Sequence, residues 1–341
     1  MGAAQLKPDE IYTRYEVRAL MGGSGQGGIV PSTSSNTILI YSDDEAGKRY
    51  GYLDGWLDEE DAAGAIFEYT GAGNDGDQTF DGQNGAMNRA VLNHATAGRA
   101  LHVFKAVGKV PNTDTKTHRY VGEMALDEDR PYYVRQSRDE AGDQRKVIVF
   151  RLRAADGRTP EAKDRIPPAF TTTAVLVPAD VTISSIVPTE RSKSKSSNRS
   201  GSATTTAKRR EAELTDHYED FLKKQGHTFA RFQIAVKGTT TTLVTDIYDQ
   251  TAHILHEAKG SASREAVREA VGQLLDYCRH VTPPNPTTAV LLPTRPHDDL
   301  QDLIASAGIA LVYRDGDNYI GYPASPPSTK RGRLSSNPES Q

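Results

Sequence analysis

The stretch "DIYDQTAHILHEAKGSASREAVREAVGQLLDY", Asp246 to Tyr277, decides how the second half of the chain folds. Within it "HILHEAK" reads as a strand, whose period of two sends Leu255, Glu257 and Lys259 to one face. The segment before it, "TTLVTDIY", reads as a strand ending at Asp246, and Asp249-Gln250 offers a turn between the two, so Asp246 comes alongside Glu257. Two carboxylates converging on one point repel unless a cation lies between them, and hard oxygen ligands favour Mg²⁺. Asp249 is a rival for that cation, and Lys259 beside the pair can orient or deprotonate a water. A helix follows from Arg264, with Ser261 or Ser263 able to cap it. Val267, Ala270, Val271, Leu274 and Cys278 form its apolar stripe, and Gln273 and Tyr277, four apart, are neighbours on the stripe's edge. Two other acidic-x-Lys triplets, Asp114 to Lys116 in a polar loop and Glu161 to Lys163 between prolines, cannot sit on a central strand.

Working outward, the pattern after residue 211 is α/β. "EAELTDHYEDFLKKQG" predicts a helix with Leu214, Tyr218 and Leu222 on one face, ending at Gly226; its Glu213 and Glu219 are further metal-ligand candidates, although solvated positions suit them better. Strands are predicted at "FARFQIAV", "TAVLLP" and "IALVYR", with a short helix at "HDDLQDLIASAG". Upstream, residues 188–210 contain no aliphatic run and carry seven basic side chains, among them Arg209 and Arg210, which reads as a flexible basic linker. Residues 324–341 have the composition of a disordered tail. Before the linker, short β-branched and aromatic runs ("NTILIYS", "AIFEYTG", "ALHVFKAV", "YVGEMAL", "RKVIVFRLR", "AVLVPA") predict many strands and hence a curved sheet or barrel, with one helix at Asn84 to Thr96.

Within that β-rich half, "YGYLDGWLDEEDAAGAIFEYTGAGNDGDQTFDGQNGAM" interleaves Tyr52, Trp56 and Tyr69 with Asp54, then runs through a Gly-rich loop to Asp77-Gln78 and Gln83-Asn84. A base flipped out of a duplex needs flat walls to stack on and a carboxylate or amide for its hydrogen-bonding edge, and this stretch holds both. Tyr52 and Tyr69 are the expected stacking rings; Trp56 fits pocket or core equally. Asp54 is favoured for the base edge over Asp58, Glu60 and Asp61. Gly23-x-Gly25-x-x-Gly28 matches a dinucleotide fingerprint in spacing only, because Pro31 and a Ser-rich run follow where a helix is required. His253 and His256, three apart on a strand, face opposite sides and make no metal site.

The totals bound the rest. A chain of 341 residues is long enough for two domains. A formal charge of −4 argues against a nonspecific nucleic-acid coat, and the one cysteine, Cys278, excludes an internal disulfide framework and fits a reducing, cytoplasmic setting. No run approaches the apolar length of a membrane span, so no membrane role is expected.

Asp246, Glu257-Ala258-Lys259 and Gln273-x-x-x-Tyr277 together resemble the PD-(D/E)XK nuclease superfamily over about Glu211 to Tyr322, with "TDIYD" lacking the Pro of the family name. That resemblance implies Mg²⁺ on Asp246 and Glu257, Lys259 positioning the attacking water, Gln273 and Tyr277 organising the site, and phosphodiester hydrolysis. Gly28-Ile29, Gly51-Tyr52-x-Asp54, Tyr69-Thr70-Gly71-x-Gly73, Asp77-Gln78, Asn84-x-Ala86 and "LHVFK" resemble, over about Glu16 to Arg153, the SRA domain of the PUA-like superfamily, which flips modified cytosines out of DNA; "LDEEDAAGAI" is longer than that family's segment. The resulting expectation is an α+β and α/β protein: a curved SRA-like β-barrel over 1–187, a linker over 188–210, a mixed sheet flanked by helices over 211–323, and a tail. Its expected function is that of a type IV, modification-dependent restriction endonuclease acting on double-stranded DNA as a homodimer or larger assembly. The alternatives are a reader that does not cut and a DNA-repair nuclease.

Overall fold

The computed structural model describes residues 6–61, 63–83, 85–128, 130–157, 160, 162–178 and 201–324. The chain divides into two compact units, residues 1–199 with 231–244, and residues 200–230 with 245–341. Among the described residues, no helix is long and apolar enough to cross a membrane.

The first unit is built on strands β1 (Ile11–Thr13), β2 (Ile29–Ser32), β3 (Thr37–Ser42), β4 (Gly55–Trp56), β5 (Phe67–Thr70), β6 (Ala100–Lys109), β7 (Lys116–Leu126), β8 (Tyr132–Arg138) and β9 (Gln144–Ala154). They form one mixed sheet in the order β2-β3-β6-β7-β9-β5-β4, with β1 beside β7 and β8 beside β9. Five strand spacings separate β2 from β5 along this path, roughly 24 Å in a flat sheet. Yet a Cβ on Gly28, next to β2, would lie 2.9 Å from the Tyr69 hydroxyl on β5. The sheet therefore curls until its two ends meet, and Gly28 is the residue that lets them approach. The expected barrel-like curvature is present, as an open hydrogen-bonded path among the described residues. Its interior is filled by Ile29, Ile38, Ile40, Trp56, Phe67, Tyr69, Leu101, Val103, Phe150 and their neighbours.

Helix α1 (Arg14–Met21) precedes the glycine loop, held by a reciprocal capping box between Thr13 and Glu16 and anchored by buried Val17. Helix α2 (Asp44–Gly47) is a single turn, and α3 (Ala86–Leu92) is shorter than the predicted Asn84 to Thr96; Asn84 itself lies outside the described residues. Strand β10 (Thr173–Pro178) pairs with β11 (Phe229–Ala235), which pairs antiparallel with β12 (Thr242–Val244). The hairpin is gripped by the 58–59 segment: Glu59 accepts from the Thr240 N–H at 2.9 Å and from the Thr241 hydroxyl at 2.9 Å.

The second unit carries β13 (Ile247–Asp249), β14 (Ile254–Ala258), β15 (Thr287–Leu292), β16 (Ala310–Asp315) and β17 (Asn318–Ile320), hydrogen-bonded in that order. The β14-β15-β16 core is parallel and the two outer pairings are antiparallel. Helix α4 (Gly201–Lys224) packs Leu214, Tyr218 and Leu222 against Ile254, Ala258, Leu291 and Val312. Helices α5 (Arg264–Tyr277) and α6 (Asp298–Ser306) complete the unit.

Three expectations need correction. Residues 201–210, assigned to the linker by composition, are helical, because a run of Ala, Thr and basic residues can extend a helix already anchored by Leu214 and Tyr218; residues 188–200 and the tail from 325 lie outside the described residues. "TTLVTDIY" is two strands: β12 and β13 both pair antiparallel with β11, and the register slips by one residue at Thr245-Asp246, a bulge that separates them, while β13 also pairs with β14. The buried stripe of α5 is Val267, Ala270, Leu274 and Tyr277, with Cys278 half-buried at its C-cap.

Candidate catalytic centre and aromatic pocket

The residues that interrupt the ladder place the first carboxylate. Asp246 stands one residue before β13 and its Oδ2 accepts the Ala258 N–H at 2.7 Å, which ties it to the end of β14. On β14 the alternation sends Ile254, His256 and Ala258 toward α4, where the Tyr218 hydroxyl meets His256 Nε2 at 3.0 Å. Glu257 and Lys259 take the opposite face, and Lys259 Nζ donates to Glu257 Oε1 at 3.0 Å. Asp246, Glu257 and Lys259 are 8%, 3% and 5% exposed, so the sequence-derived trio is buried and adjacent.

A fourth charged group escapes the sequence reading. Glu211 on α4 accepts the Gly260 N–H at 3.3 Å, while Glu213, a helix carboxylate named from the sequence, pairs with Arg209 at 3.2 Å. Burial, then Asp246, pushes the Glu211 carboxyl up to about 7. Glu257 is raised well above the usual carboxylate range, first by burial and then by Asp246. Burial alone would lower Lys259, but Glu257, Asp246, Glu211 and Glu269 together hold its ammonium above the ordinary lysine value. Glu269 Oε1, on α5, is 3.5 Å from Lys259 Nζ. Several carboxyl groups therefore share one ammonium, an imbalance of negative charge in a dry site.

Gln273 Nε2 donates to the Tyr277 hydroxyl at 3.4 Å, and burial followed by Glu257 and Asp246 raises the Tyr277 phenol. This puts the Gln-Tyr pair beside the carboxylates. Asp249 is engaged elsewhere: fully buried, it meets His227 Nδ1 at 2.6 Å and accepts the Thr251 and Ala252 N–H groups at 3.0 Å each, closing the β13-β14 turn. His253 occupies that turn with a φ of 55°, so it is not on the strand with His256.

Among the described residues, no three His, Cys, Asp or Glu side chains are gathered tightly enough to form a finished metal cage. The donor set nonetheless fits a hard divalent cation, which takes one or two protein carboxylates and completes its shell with water and phosphate oxygens. Among the described residues Glu257 Oε2, which is buried, has no hydrogen-bond partner, the kind of orphan atom that such a cation satisfies.

In the first unit the aromatic segment resolves differently. Asp54 is half-buried; its Oδ1 accepts the Thr70 N–H at 2.8 Å, and burial pushes its carboxyl up to about 6, with Thr70, Ser42 and Arg135 pulling the other way. The buried Ser42 and Thr70 hydroxyls face Asp54 and favour its carboxylate. Tyr52 is half-buried, its hydroxyl fixed by the Gly73 carbonyl, by Gln78 Nε2 at 3.1 Å and by Arg145 at 3.3 Å. Tyr69 is buried, and burial, Asp54 and Tyr52 raise its phenol.

Trp56 is 2% exposed and meets Phe67 edge-on at 5.4 Å, which makes it core and removes it from the base-stacking set. The rival acids of the long segment have other partners: Asp58 pairs with Arg165 and Asp61 with Arg153 at 2.6 Å, while Glu60 is exposed. Gln78, whose amide the sequence offers for a base edge, donates to the Gly71 carbonyl at 2.7 Å and accepts the Ile148 N–H at 2.8 Å. Asn88 accepts the Ala72 N–H at 2.7 Å and donates to the Thr79 carbonyl at 3.0 Å. A Cβ on Gly71 would lie 2.8 Å from Asn88 Oδ1. The Tyr-Thr-Gly and Asp-Gln blocks thus hold the loop under Tyr52 and Asp54 in place.

Residues 8–169 match the family described as "ScoMcrA-like, SRA domain". No curated protein matches the chain. Among solved structures, similarity extends to the type IV phosphorothioation-dependent restriction endonuclease ScoMcrA (20% identity, TM-score 0.33, covering 49% of this chain and 31% of that one). It extends also to the DNA modification-dependent restriction endonuclease AspBHI (11% identity, TM-score 0.33, covering 92% and 90%) and to the MspJI restriction endonuclease in complex with a 27-mer oligonucleotide (11% identity, TM-score 0.26, covering 91% and 77%). The chain therefore spans about a third of the ScoMcrA chain.

Proposed function

We propose that the chain is a modification-dependent DNA endonuclease: its first unit takes a modified base, a cytosine derivative, out of double-stranded DNA, and its second unit hydrolyses a phosphodiester with Mg²⁺. The observation that carries this reading is the buried Asp246, Glu257 and Lys259 cluster with its excess of carboxylate and the orphan Glu257 Oε2. The SRA match over residues 8–169 supports the reader half.

Asp246 and Glu257 hold the cation, with Glu211 at the edge of the site. Bound there, Mg²⁺ supplies positive charge to the phosphoryl oxygens as negative charge builds on them. The carboxylates around Lys259 favour its ammonium form, and its part is to donate a hydrogen bond that orients the attacking water. Gln273 and Tyr277 brace the carboxylates from α5. In the first unit, ionised Asp54 accepts from the exocyclic amino group of the flipped cytosine, and Tyr52 supplies a stacking face. One such centre cuts one strand, so cleavage of a duplex takes two copies, as a homodimer or larger assembly. A DNA substrate and the lone cysteine accord with a cytoplasmic setting.

The test incubates the full chain and Mg²⁺ with duplexes of one sequence carrying unmodified, methylated, hydroxymethylated or glucosylated cytosine, or a phosphorothioate linkage. Cutting confined to one or more modified duplexes is expected. Equal cutting of all would remove the reader half, and binding of a modified duplex without cutting would leave a reader alone.

A further inference from the structure

Beside the carboxylate cluster, the second unit holds a groove of about 400 Å³ that none of the assigned roles uses. Arg210 and Arg314 line it, together with Glu213, Gly260, Ser261 and Thr294. Its place relative to the cluster is fixed by the chain: Arg210 immediately precedes Glu211, and Gly260, which donates to Glu211, immediately follows Lys259.

The charges in and around the groove are unequally matched. Four other arginines of this unit have acidic partners: Arg209 with Glu213 at 3.2 Å, Arg295 with Asp298 at 2.6 Å, Arg264 with Asp299 and Arg279 with Asp276. Arg210 and Arg314 have no acidic partner among the described residues; Arg314 Nε donates only to the Gly316 carbonyl, at 2.8 Å. The one carboxylate in the lining, Glu213, is already taken by Arg209. Two guanidinium groups without an acidic partner among the described residues and two hydroxyls form a phosphate-binding set. Leu214, Ala262 and Pro293 are the apolar lining residues, too few to enclose a small apolar ligand.

We infer that this groove seats the backbone of the DNA strand that is cut, with Arg210 and Arg314 holding a phosphate flanking the scissile one. They are positioning residues: they act on the strand beside the reacting phosphate. The inference rests on the nuclease reading for the word "scissile", whereas the phosphate contact itself stands on the groove.

The experiment measures binding of the full chain to a 30-base-pair duplex by fluorescence anisotropy in EDTA over a series of salt concentrations, for wild type, Arg210→Gln/Arg314→Gln and Arg210→Lys/Arg314→Lys. Each phosphate neutralised contributes about 0.9 to the slope of log K against log salt, so losing the one phosphate that the two arginines share should lower it by about 0.9 in the Gln pair, while the Lys pair retains it. An unchanged slope in a Gln pair that melts like wild type overturns the inference. Inorganic phosphate supplies the second arm: saturable phosphate binding abolished in the Gln pair, with the duplex slope unchanged, would make this a free-anion site and overturn the strand. Because no cleavage enters the measurement, wild type that fails to cut sinks the nuclease reading and leaves the slope standing. An unchanged slope with cutting intact sinks only the groove.

Discussion

In the second unit, Asp246, Glu257 and Lys259 are buried together with more carboxyl groups than ammonium groups around them; in the first, most of the polar side chains singled out from the sequence are matched to a partner. Among the described residues Glu257 Oε2 has no donor, and Lys259 faces more than one carboxylate. Gln78, by contrast, is committed to a loop carbonyl and a strand amide, and Asp58 and Asp61 to arginines. Asp54 is flanked by hydroxyls, Ser42 and Thr70, that favour its carboxylate, whereas Asp58 and Asp61 pair with arginines. A site that must bind a missing cation retains unsatisfied charge, whereas a pocket that must admit a base needs a rigid rim.

That contrast can be broken by substitution. Glu257→Ala should lower cleavage by at least ~10³-fold while leaving DNA binding within a few-fold of wild type, measured by gel cleavage and anisotropy on one duplex. Loss of binding in step with cleavage would place the effect in the fold. Trp56→Ala should lower stability by about 3–5 kcal/mol in denaturant titrations, as for an aromatic removed from a packed core, without changing the preference among modified duplexes once the protein is folded. A selective loss of modified-base preference would return Trp56 to the pocket.

Asp54→Asn sharpens the comparison on the reader side. It should reduce affinity for the modified duplex by about 10- to 100-fold, the worth of one base-edge contact. The pH response of Asp54 runs in two directions. Its folded value, about 6, lies above the ordinary 3.8, so its protonated form favours the fold at low pH and that contribution is lost as pH rises between those values. Base binding needs the carboxylate, so affinity for modified DNA should rise with pH, about tenfold per unit below 6, and level off above it. Asp54→Asn should flatten both trends, seen in thermal melts and binding titrations from pH 4.5 to 7.5.

Legibility from the sequence followed the range of the interaction. The Leu214, Tyr218 and Leu222 face of α4 and the alternation of β14 are local periodicities, and both are found as read. Helix α1 was within reach, since Thr13-x-x-Glu16 and Gly22 are start and stop signals, but it is short and only Val17 is buried on it. The break at Thr245-Asp246 is a one-residue slip in the register against β11, which no window of residues reveals. Glu211 is hidden for the same reason: its meeting with Gly260 joins a helix to a strand end far along the chain. Rivalry among Asp54, Asp58, Glu60 and Asp61 turned on Arg153 and Arg165, whose positions are set by the fold.

The central claim is that Asp246 and Glu257 together hold a divalent cation. Mn²⁺, which is paramagnetic and accepts the same hard oxygen ligands, can be titrated into the full chain and followed by electron paramagnetic resonance. One Mn²⁺ per chain, displaced by Mg²⁺ and absent from both Glu257→Ala and Asp246→Ala variants that melt like wild type, is the predicted result. Mn²⁺ binding that survives both substitutions, or none in the wild-type chain, would contradict it.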